Sequence, residues 1–389
     1  MTRWPRLTRR SILKGGAATA GLTTSGIFVR RANAAEPLRI GNVVPLTGPF
    51  NASGQQYHFS LQMAQDEINA KGGIAGRKLE IVFADSRDSN AAAVNAFIKL
   101  NKELDAPFMF LSSYTTQNLA TEPEVAKAAL PCVFAGGGDA VHERKNRWMF
   151  RIRPFDGLQS QTMSQVLLND IKSTKPAIIY VQNDFGQGVA NSVQKLCRAA
   201  GVETVGVEAY GVNDKDMSAQ LLSFKAKGAD AIVVVSFGND GALIIKQVKQ
   251  FGITAPLVTA AGVMAPAVLN LLTPDEVSRV HGMIDSYVHD SRQDATGDYA
   301  RRFHKRFGVK PDPFGSCYYD AAWMLKEGIE QAGTDREKLR TWFTQVKNWQ
   351  GVTHTYSTDD RNNMVHSFAI VKFKPGTMDL EFVRTAKLS

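Results

Sequence analysis

The chain has 389 residues, 44% of them hydrophobic, and carries a formal net charge of +9 from 46 Lys and Arg against 37 Asp and Glu. Seven of the basic residues and none of the acidic ones fall within positions 1–35, which leaves 39 basic against 37 acidic residues, a charge of +2, for the rest. A nearly neutral chain lacks the basic surface that attracts nucleic acids. We therefore predict no nucleic-acid partner.

Residues 1–34 have the pattern of an export signal. Arg9-Arg10 lies in a twin-arginine motif, followed by a weakly apolar stretch over 15–29 and the small-residue site Ala32-Asn33-Ala34. A membrane anchor is the alternative, but the stretch is shorter than the roughly 20 apolar residues a spanning helix needs. We predict a signal peptide over 1–34 and a mature protein starting near Ala35, exported to a bacterial periplasm by the twin-arginine route.

From residue 38 onward, short β-rich runs alternate with amphipathic helical stretches. The first group has strands predicted over 38–45, 78–85, 107–111, 131–135 and 148–153, with helices over 55–71 and 90–103. The second group has strands over 177–182, 202–210, 231–236 and 257–260, separated by helices over 187–200, 218–227 and 241–251. Continuous apolar strands such as 231–235 are typical of a parallel sheet covered on both faces. The pattern predicts an α/β protein with two βαβ lobes.

The C-terminal third departs from this alternation. Three helical stretches follow one another over 297–307, 318–331 and 336–346, before strands over 367–373 and 380–384. Successive helices cannot extend a parallel sheet, so this third is expected to return to the first lobe. About 355 mature residues also exceed what one hydrophobic core usually serves. We predict that the chain crosses between its lobes more than once.

Two loops are candidate ligand-binding segments, because ligands of open α/β sheets lie beyond the carboxyl ends of the strands. Residues 112–117 carry Ser and Thr hydroxyls at the start of a helix, which favours an anion such as a carboxylate; the alternative is an ordinary helix N-cap. Gly136-Gly137-Gly138-Asp139 follows the next strand, where missing side chains let a ligand approach the backbone. The alternative there is a flexible turn, since no phosphate-loop pattern follows.

Three motifs give a family resemblance. The sequences PLTGP at 45–49, INAKGGIAGRK at 68–78 and NDFGQG at 183–188 resemble the Leu/Ile/Val-binding proteins of ABC importers, over essentially the whole mature chain. The resemblance implies a type I periplasmic binding protein, with two Rossmann-like lobes of parallel-sheet core joined by three hinge crossings. The crossings would fall near 153–156, 286–288 and 363–366. Lobe 1 would comprise 35–154 plus 287–364, and lobe 2 would comprise 155–286 plus 365–389.

The resemblance also implies ligand-binding positions. The carboxylate-binding hydroxyl falls on Ser113, with backbone help from Gly136 and from Gly138, where relatives often have Thr. Ser53 stands where some relatives have Tyr, in the segment 48–54. In the second lobe, the aromatic lid of the family becomes Phe185, which we expect in an exposed loop, and Phe237 falls on the next aromatic loop.

The position that binds an ammonium group in relatives does not match. Relatives that hold an α-amino group place an acid where this chain has Ala261, and an unpaired ammonium in a closed cleft is costly. Either Asp139 supplies the acid from the opposite lobe, or the ligand is an aromatic or aliphatic carboxylate without an ammonium. The second interpretation, which we prefer, encloses the ligand with Tyr114, Phe185, Phe237 and Met264.

No enzymatic site is predicted. The seven His residues show no metal-ligand spacing, no nucleophile elbow G-x-S-x-G occurs, and no cofactor or metal is expected. Cys132, Cys197 and Cys317 permit one disulfide of undetermined pairing, with Cys132 expected as a buried thiol. We predict a monomeric solute-binding component whose partners, implied by the resemblance alone, are an ABC permease and ATPase. The alternative is a ligand-sensing periplasmic module that works with a membrane receptor.

Overall fold

The structure is a computed structural model that describes residues 36–48, 51–87, 89–212, 214–236 and 238–386. The predicted signal peptide lies outside these residues, so the structure does not bear on the export route. Across the described ranges, no helix has the length and hydropathy needed to cross a membrane.

The first sheet is entirely parallel. Its strands are β1 (Leu38–Val44), β2 (Leu79–Asp85), β3 (Met109–Phe110), β4 (Cys132–Phe134) and β5 (Met149–Arg151), in the order β2-β1-β3-β4-β5. The helices between them are α1 (Asn51–Ala70), α2 (Asn90–Leu104), α3 (Thr115–Ala128) and α4 (Ala140–Glu143). The alternation of strand and helix makes this sheet the core of lobe 1.

The second sheet has seven strands in the described residues. The chain continues through α5 (Asp156–Gln165) with a π-helical turn over Val166–Asp170, β6 (Pro176–Val181), α6 (Asp184–Ala199), β7 (Gly206–Tyr210), α7 (Ser218–Ala226), β8 (Ala231–Val235), α8 (Gly238–Gln250), β9 (Leu257–Thr259), a 3-10 turn over Ala261–Met264, α9 (Pro266–Leu269) and β10 (Val280–Ile284). Five parallel strands are joined by two antiparallel C-terminal ones, β13 (Ala369–Phe373) and β14 (Leu380–Thr385), in the order β14-β13-β10-β9-β8-β6-β7. This sheet is the core of lobe 2.

The C-terminal third returns to lobe 1, as predicted. It contains α10 (Ala295–Phe307), α11 (Cys317–Ala332), α12 (Arg336–Thr344), a hairpin of β11 (Trp349–Gln350) and β12 (Thr355–Tyr356), and then β13 (Ala369–Phe373) and β14 (Leu380–Thr385). The Tyr299 hydroxyl lies 3.0 Å from that of Ser60 on α1, and the Tyr318 ring packs edge-on against Tyr57. The chain therefore passes between the sheets three times: after β5, after β10 and after β12.

Apolar sequence runs account for the cores. All five residues of β8 are buried, which fits the continuous apolar run that predicted a strand covered on both faces. All three cysteines are free and buried, so they pack as small apolar side chains and form no disulfide.

Helix α5 is one of several elements that were not predicted, along with strand β10 and the β11–β12 hairpin. Its polar residues Ser160 and Thr162 are buried, but each hydroxyl donates to the carbonyl four residues earlier, at 3.0 and 2.8 Å. Because these bonds satisfy the hydroxyls locally, the helix buries its side chains without the apolar stripe that periodicity detects.

Candidate functional site

The predicted loops of the two lobes meet at the first turns of α5. The N–H of Asp156 donates to the Gly137 carbonyl at 2.9 Å, and the side chain of Gln159 accepts from the N–H of Ala261 at 2.9 Å. Gly137 follows β4 of lobe 1 and Ala261 follows β9 of lobe 2. These two hydrogen bonds lie less than one helical turn apart on α5. The helix thus contacts a candidate loop from each lobe, at the carboxyl ends of the strands.

The start of α3 presents hydrogen-bond donors with no partner. Its N-cap is Tyr114, which makes no side-chain cap bond, while the Ser112 hydroxyl accepts from the N–H of Tyr114 at 3.2 Å. Among the described residues, the backbone N–H groups of Thr115 and Thr116 have no hydrogen-bond partner. The half-buried hydroxyl of Ser113 has none there either. Neither Ser nor Thr occupies the N-cap, so the alternative of an ordinary Ser or Thr cap does not hold.

The glycine loop after β4 lies directly against α3. A Cβ at Gly136 would lie 2.4 Å from the Asn118 amide nitrogen, and one at Gly138 would lie 2.4 Å from the Thr115 methyl carbon. The Gly138 N–H donates to the Thr115 hydroxyl at 2.9 Å and is occupied. The N–H groups of Gly136 and Gly137 remain without a partner in the part of the chain described. Close packing against α3 therefore requires glycines in this loop. Gly136 and Gly137 still have a backbone N–H that can donate to a ligand.

The Asp139 carboxylate lies near the Arg151 guanidinium and near the first turn of α5. Its carboxylate lies 3.9 Å from Nη1 of the fully buried Arg151, and its side chain is 44% exposed. Burial raises the pKa of Asp139 above the ordinary carboxyl range, while Arg151 opposes that rise and a hydrogen bond from the Gly157 N–H adds to the opposition. Asp139 is thus already engaged by a cation, which weakens it as a partner for a ligand ammonium.

Phe185 is part of a helix rather than of an exposed loop. Helix α6 begins at Asp184, because the side chain of Asn183 caps it by accepting from the Gly186 N–H at 2.8 Å. The Phe185 ring is half-buried and packs against the apolar clusters of the protein. The expectation of a loop was wrong, and Phe237 lies outside the described residues.

The remaining predicted positions differ in exposure. Ser53 is half-buried in the first turn of α1, which begins at Asn51, four residues before the start of the predicted helix over 55–71. Ala261 and Met264 are both 1% exposed in the 3-10 turn after β9. The Met264 sulfur lies 2.2 Å from where a Cβ on Gly282 of β10 would be, so its side chain packs in the core of lobe 2. Tyr114 is half-buried beside Ser113.

Sequence reasoning also missed Arg151 and Asp156. The half-buried carboxyl of Asp156 lies beside the Gly137 backbone, and burial raises its pKa to about 6, against the opposing effect of Arg151 and Arg153. Arg151 ends strand β5 and Asp156 begins α5 just after it, so their place at the first crossing was the available signal. A carboxyl that titrates near neutral pH is typical of functional sites.

Comparison with known proteins identifies the family. A family model described as periplasmic binding protein matches residues 37–377. Leu/Ile/Val-binding protein homolog 7 of Brucella melitensis is 27% identical over 251 residues, 62% of this chain and 62% of that protein, so the chain spans about three fifths of that relative. Leu/Ile/Val-binding protein BraC3 of Rhizobium johnstonii is 24% identical over 364 residues, 92% of this chain and 97% of that protein.

A solved structure shows the same fold. The branched-chain amino acid transporter substrate-binding protein LivJ of Streptococcus pneumoniae, in complex with isoleucine, superposes with a TM-score of 0.81 at 22% identity, covering 89% of this chain and 99% of that chain. Periplasmic binding proteins bind solutes and are not enzymes, which confirms the prediction of a non-enzymatic chain and implies a periplasmic location. The chain belongs to the type I periplasmic binding proteins, in the Leu/Ile/Val-binding family.

Proposed function

We propose that this chain is the solute-binding component of an ABC importer and captures a small carboxylate between its lobes. The observation that carries the proposal is the set of unpartnered donors at the start of α3 beside the Ser113 hydroxyl. The N–H groups of Gly136 and Gly137 lie on the loop packed against that helix. A carboxylate has acceptor positions for several such donors.

The electrostatics of α3 favour an anion at this position. The N-terminus of a helix carries a partial positive charge, worth about 0.3–1 kcal/mol for an exposed anion and up to about 2 kcal/mol when partly buried. Closure of the two lobes removes water and strengthens each of these bonds. A charged acceptor thus gains more from this site than a neutral amide of the same shape.

Neither Ala261 nor Asp139 offers a ligand ammonium group an anion that has no other cation beside it. Ala261 is apolar, and the carboxylate of Asp139 is 3.9 Å from the Arg151 guanidinium. We therefore favour an aromatic or aliphatic carboxylate without an ammonium over an α-amino acid. Relatives are named for leucine, isoleucine and valine, and LivJ was solved with isoleucine, so an amino acid is the alternative within the same class.

The same proposal assigns the partners. The chain would act as a monomer that carries its solute to a membrane permease driven by an ATPase. Uptake of the solute by cells should then require this chain, whereas a sensor would leave uptake intact and change a downstream response.

A thermal-shift screen with matched pairs tests the proposal. The mature protein from residue 35 is heated with isoleucine and 3-methylpentanoate, with phenylalanine and 3-phenylpropanoate, and with benzoate and benzamide. A ligand at 100 times its Kd adds about 2.7 kcal/mol of stability, which raises Tm by several degrees. We expect a carboxylate to stabilise the protein and its primary amide to fail. Equal shifts with acid and amide, or no shift with any small carboxylate, would contradict the proposal.

A further inference from the structure

Arg151 is the largest fully buried polar side chain near the candidate site. It is the last residue of β5, and its side chain is 0% exposed, so it does not contact a solute in the cleft. Burying a guanidinium is costly unless it is paired and hydrogen-bonded. Arg151 makes hydrogen bonds to two separate segments, the glycine loop after β4 and the turn at the third crossing.

The side chain of Arg151 holds the glycine loop. Nη2 donates to the Gly138 carbonyl at 2.6 Å, and the guanidinium lies 5.3 Å from the Phe134 ring centre and 5.8 Å from that of Phe155. Nε and Nη1 have no hydrogen-bond partner among the described residues. The bond to Gly138 is therefore the one direct hydrogen bond that the buried guanidinium makes there, and it is charge-assisted.

The backbone of Arg151 holds the third crossing. Its N–H donates to the Asn362 carbonyl and its carbonyl accepts from the Met364 N–H, both at 2.9 Å. The crossing is itself a tight turn, since Asn362 has a φ of +62° and the Asp359 carboxylate accepts from the Asn363 N–H at 2.7 Å. A movement of this turn consequently displaces the residue whose side chain supports Gly138.

We propose that Arg151 is a positioning residue that couples the loop 136–139 to the third crossing. Its side chain sets the shape of the loop, and its backbone moves with the turn 359–364. That this loop receives the solute rests on the proposed function; the coupling itself does not. Hinge movement at the third crossing is thereby transmitted to the solute-binding loop through one residue.

Hydrogen–deuterium exchange of the protein without solute tests the coupling from both ends. Arg151→Met removes the bond to Gly138 but keeps the backbone bonds to Asn362 and Met364. We expect the amides of Gly138 and Met364 both to exchange at least about tenfold faster, the effect of losing one charge-assisted hydrogen bond. Arg151→Lys, which retains a donor for Gly138, should restore much of the protection at both amides.

The reverse perturbation is Asn362→Ala. It removes side-chain bonds to the carbonyls of Arg147 and Met149 and touches nothing in the loop 136–139. We expect faster exchange at Gly138 all the same. Arg336→Met is the matched control, because Arg336 donates to the carbonyls of Ala106 and Ala128 elsewhere in lobe 1 and should leave Gly138 unchanged.

The outcomes separate coupling from general loosening. A response confined to the altered segment in either variant, an equal rise at all amides, or Arg151→Lys behaving like Arg151→Met overturns the proposal. If Arg151→Met does not fold, Asn362→Ala and its effect at Gly138 decide the matter alone. Because no solute is present, failure of the proposed function would not produce any of these results.

Discussion

Arg153 and Asp285 form a bidentate ion pair that ties the first crossing between the lobes to the second. Nε of Arg153 lies 2.6 Å from one Asp285 oxygen and Nη2 lies 2.9 Å from the other. The Asp285 side chain is 0% exposed, and the Arg153 guanidinium lies 4.8 Å from the Phe314 ring centre. The pair fixes two of the three connections on which movement of the lobes depends.

Asp285→Asn should destabilise the protein strongly. The change leaves the nearly buried Arg153 charge without its carboxylate, and breaking such a pair costs about 3–5 kcal/mol. Denaturant unfolding measures the loss. The control is Asp298→Asn, whose exposed pair with Arg301 on α10 is worth less than about 1 kcal/mol. A loss for Asp285→Asn no larger than that of the control would show that the pair does not brace the crossings.

Ser113→Ala should weaken carboxylate binding without affecting the fold. Removing one hydroxyl that donates to a charged acceptor costs about 1.5–3 kcal/mol, roughly a tenfold to hundredfold rise in Kd. Isothermal calorimetry with the carboxylate found in the thermal-shift screen measures the change. Thr355→Ala, which removes an exposed hydroxyl on β12 outside the site, is the control. Unchanged affinity in Ser113→Ala would remove Ser113 from the site.

Gly138→Ala should lower stability through overpacking. The new Cβ would lie 2.4 Å from the Thr115 methyl carbon, and such an insertion typically costs about 1–3 kcal/mol. Adding Thr115→Ser removes the methyl, keeps the hydroxyl that accepts from the Gly138 N–H, and should recover part of the loss. Gly188→Ala on α6 meets nothing within 4 Å and should be neutral or slightly stabilising. The prediction fails if Gly138→Ala unfolds at the same denaturant concentration as the natural protein.

Ala261→Glu should shift preference toward amino acids. A carboxylate at this position supplies the partner that a ligand ammonium lacks, and close charge pairs of this kind are worth about 1.5 kcal/mol or more, at least about tenfold in affinity. The ratio of Kd values for isoleucine and 3-methylpentanoate measures the shift. Ala261→Gln has nearly the same shape without the charge and should leave the ratio unchanged. Equal ratios in the two variants would show that position 261 does not face the ammonium.

The sequence predicted those parts of the fold that depend on apolar patterns. β8 was found from its continuous apolar run, and α10, predicted over 297–307, buries Tyr299, Ala300 and Phe303. Helix α5 was missed because its buried hydroxyls bond to their own helix. The site depends on contacts between distant residues, such as Ala261 with Gln159, and no local pattern reports those.

Asp312→Asn should flatten the dependence of stability on pH. Asp312 is buried between α10 and α11, and burial raises its pKa to about 7, against the hydrogen bonds from the Gly315 and Phe314 N–H groups and the weaker attraction of Arg153. Between its ordinary pKa near 4 and about 7, the folded protein holds a proton on Asp312 that the unfolded chain does not. Stability from this group is therefore full below about pH 4 and is lost as the pH rises to 7.

Asparagine keeps an oxygen for the N–H of Phe314, which now donates to Asp312 at 3.0 Å, and has no proton to lose. The Tm of Asp312→Asn, measured from pH 5 to pH 8 against that of the natural protein, should therefore rise relative to it with increasing pH. Asp156, whose pKa is also raised, titrates in both proteins and cancels in the difference. Parallel curves would mean that Asp312 is already ionised in the folded protein at pH 5. In that case the hydrogen bonds from Gly315 and Phe314, together with the attraction of Arg153, outweigh the cost of burial at this loop.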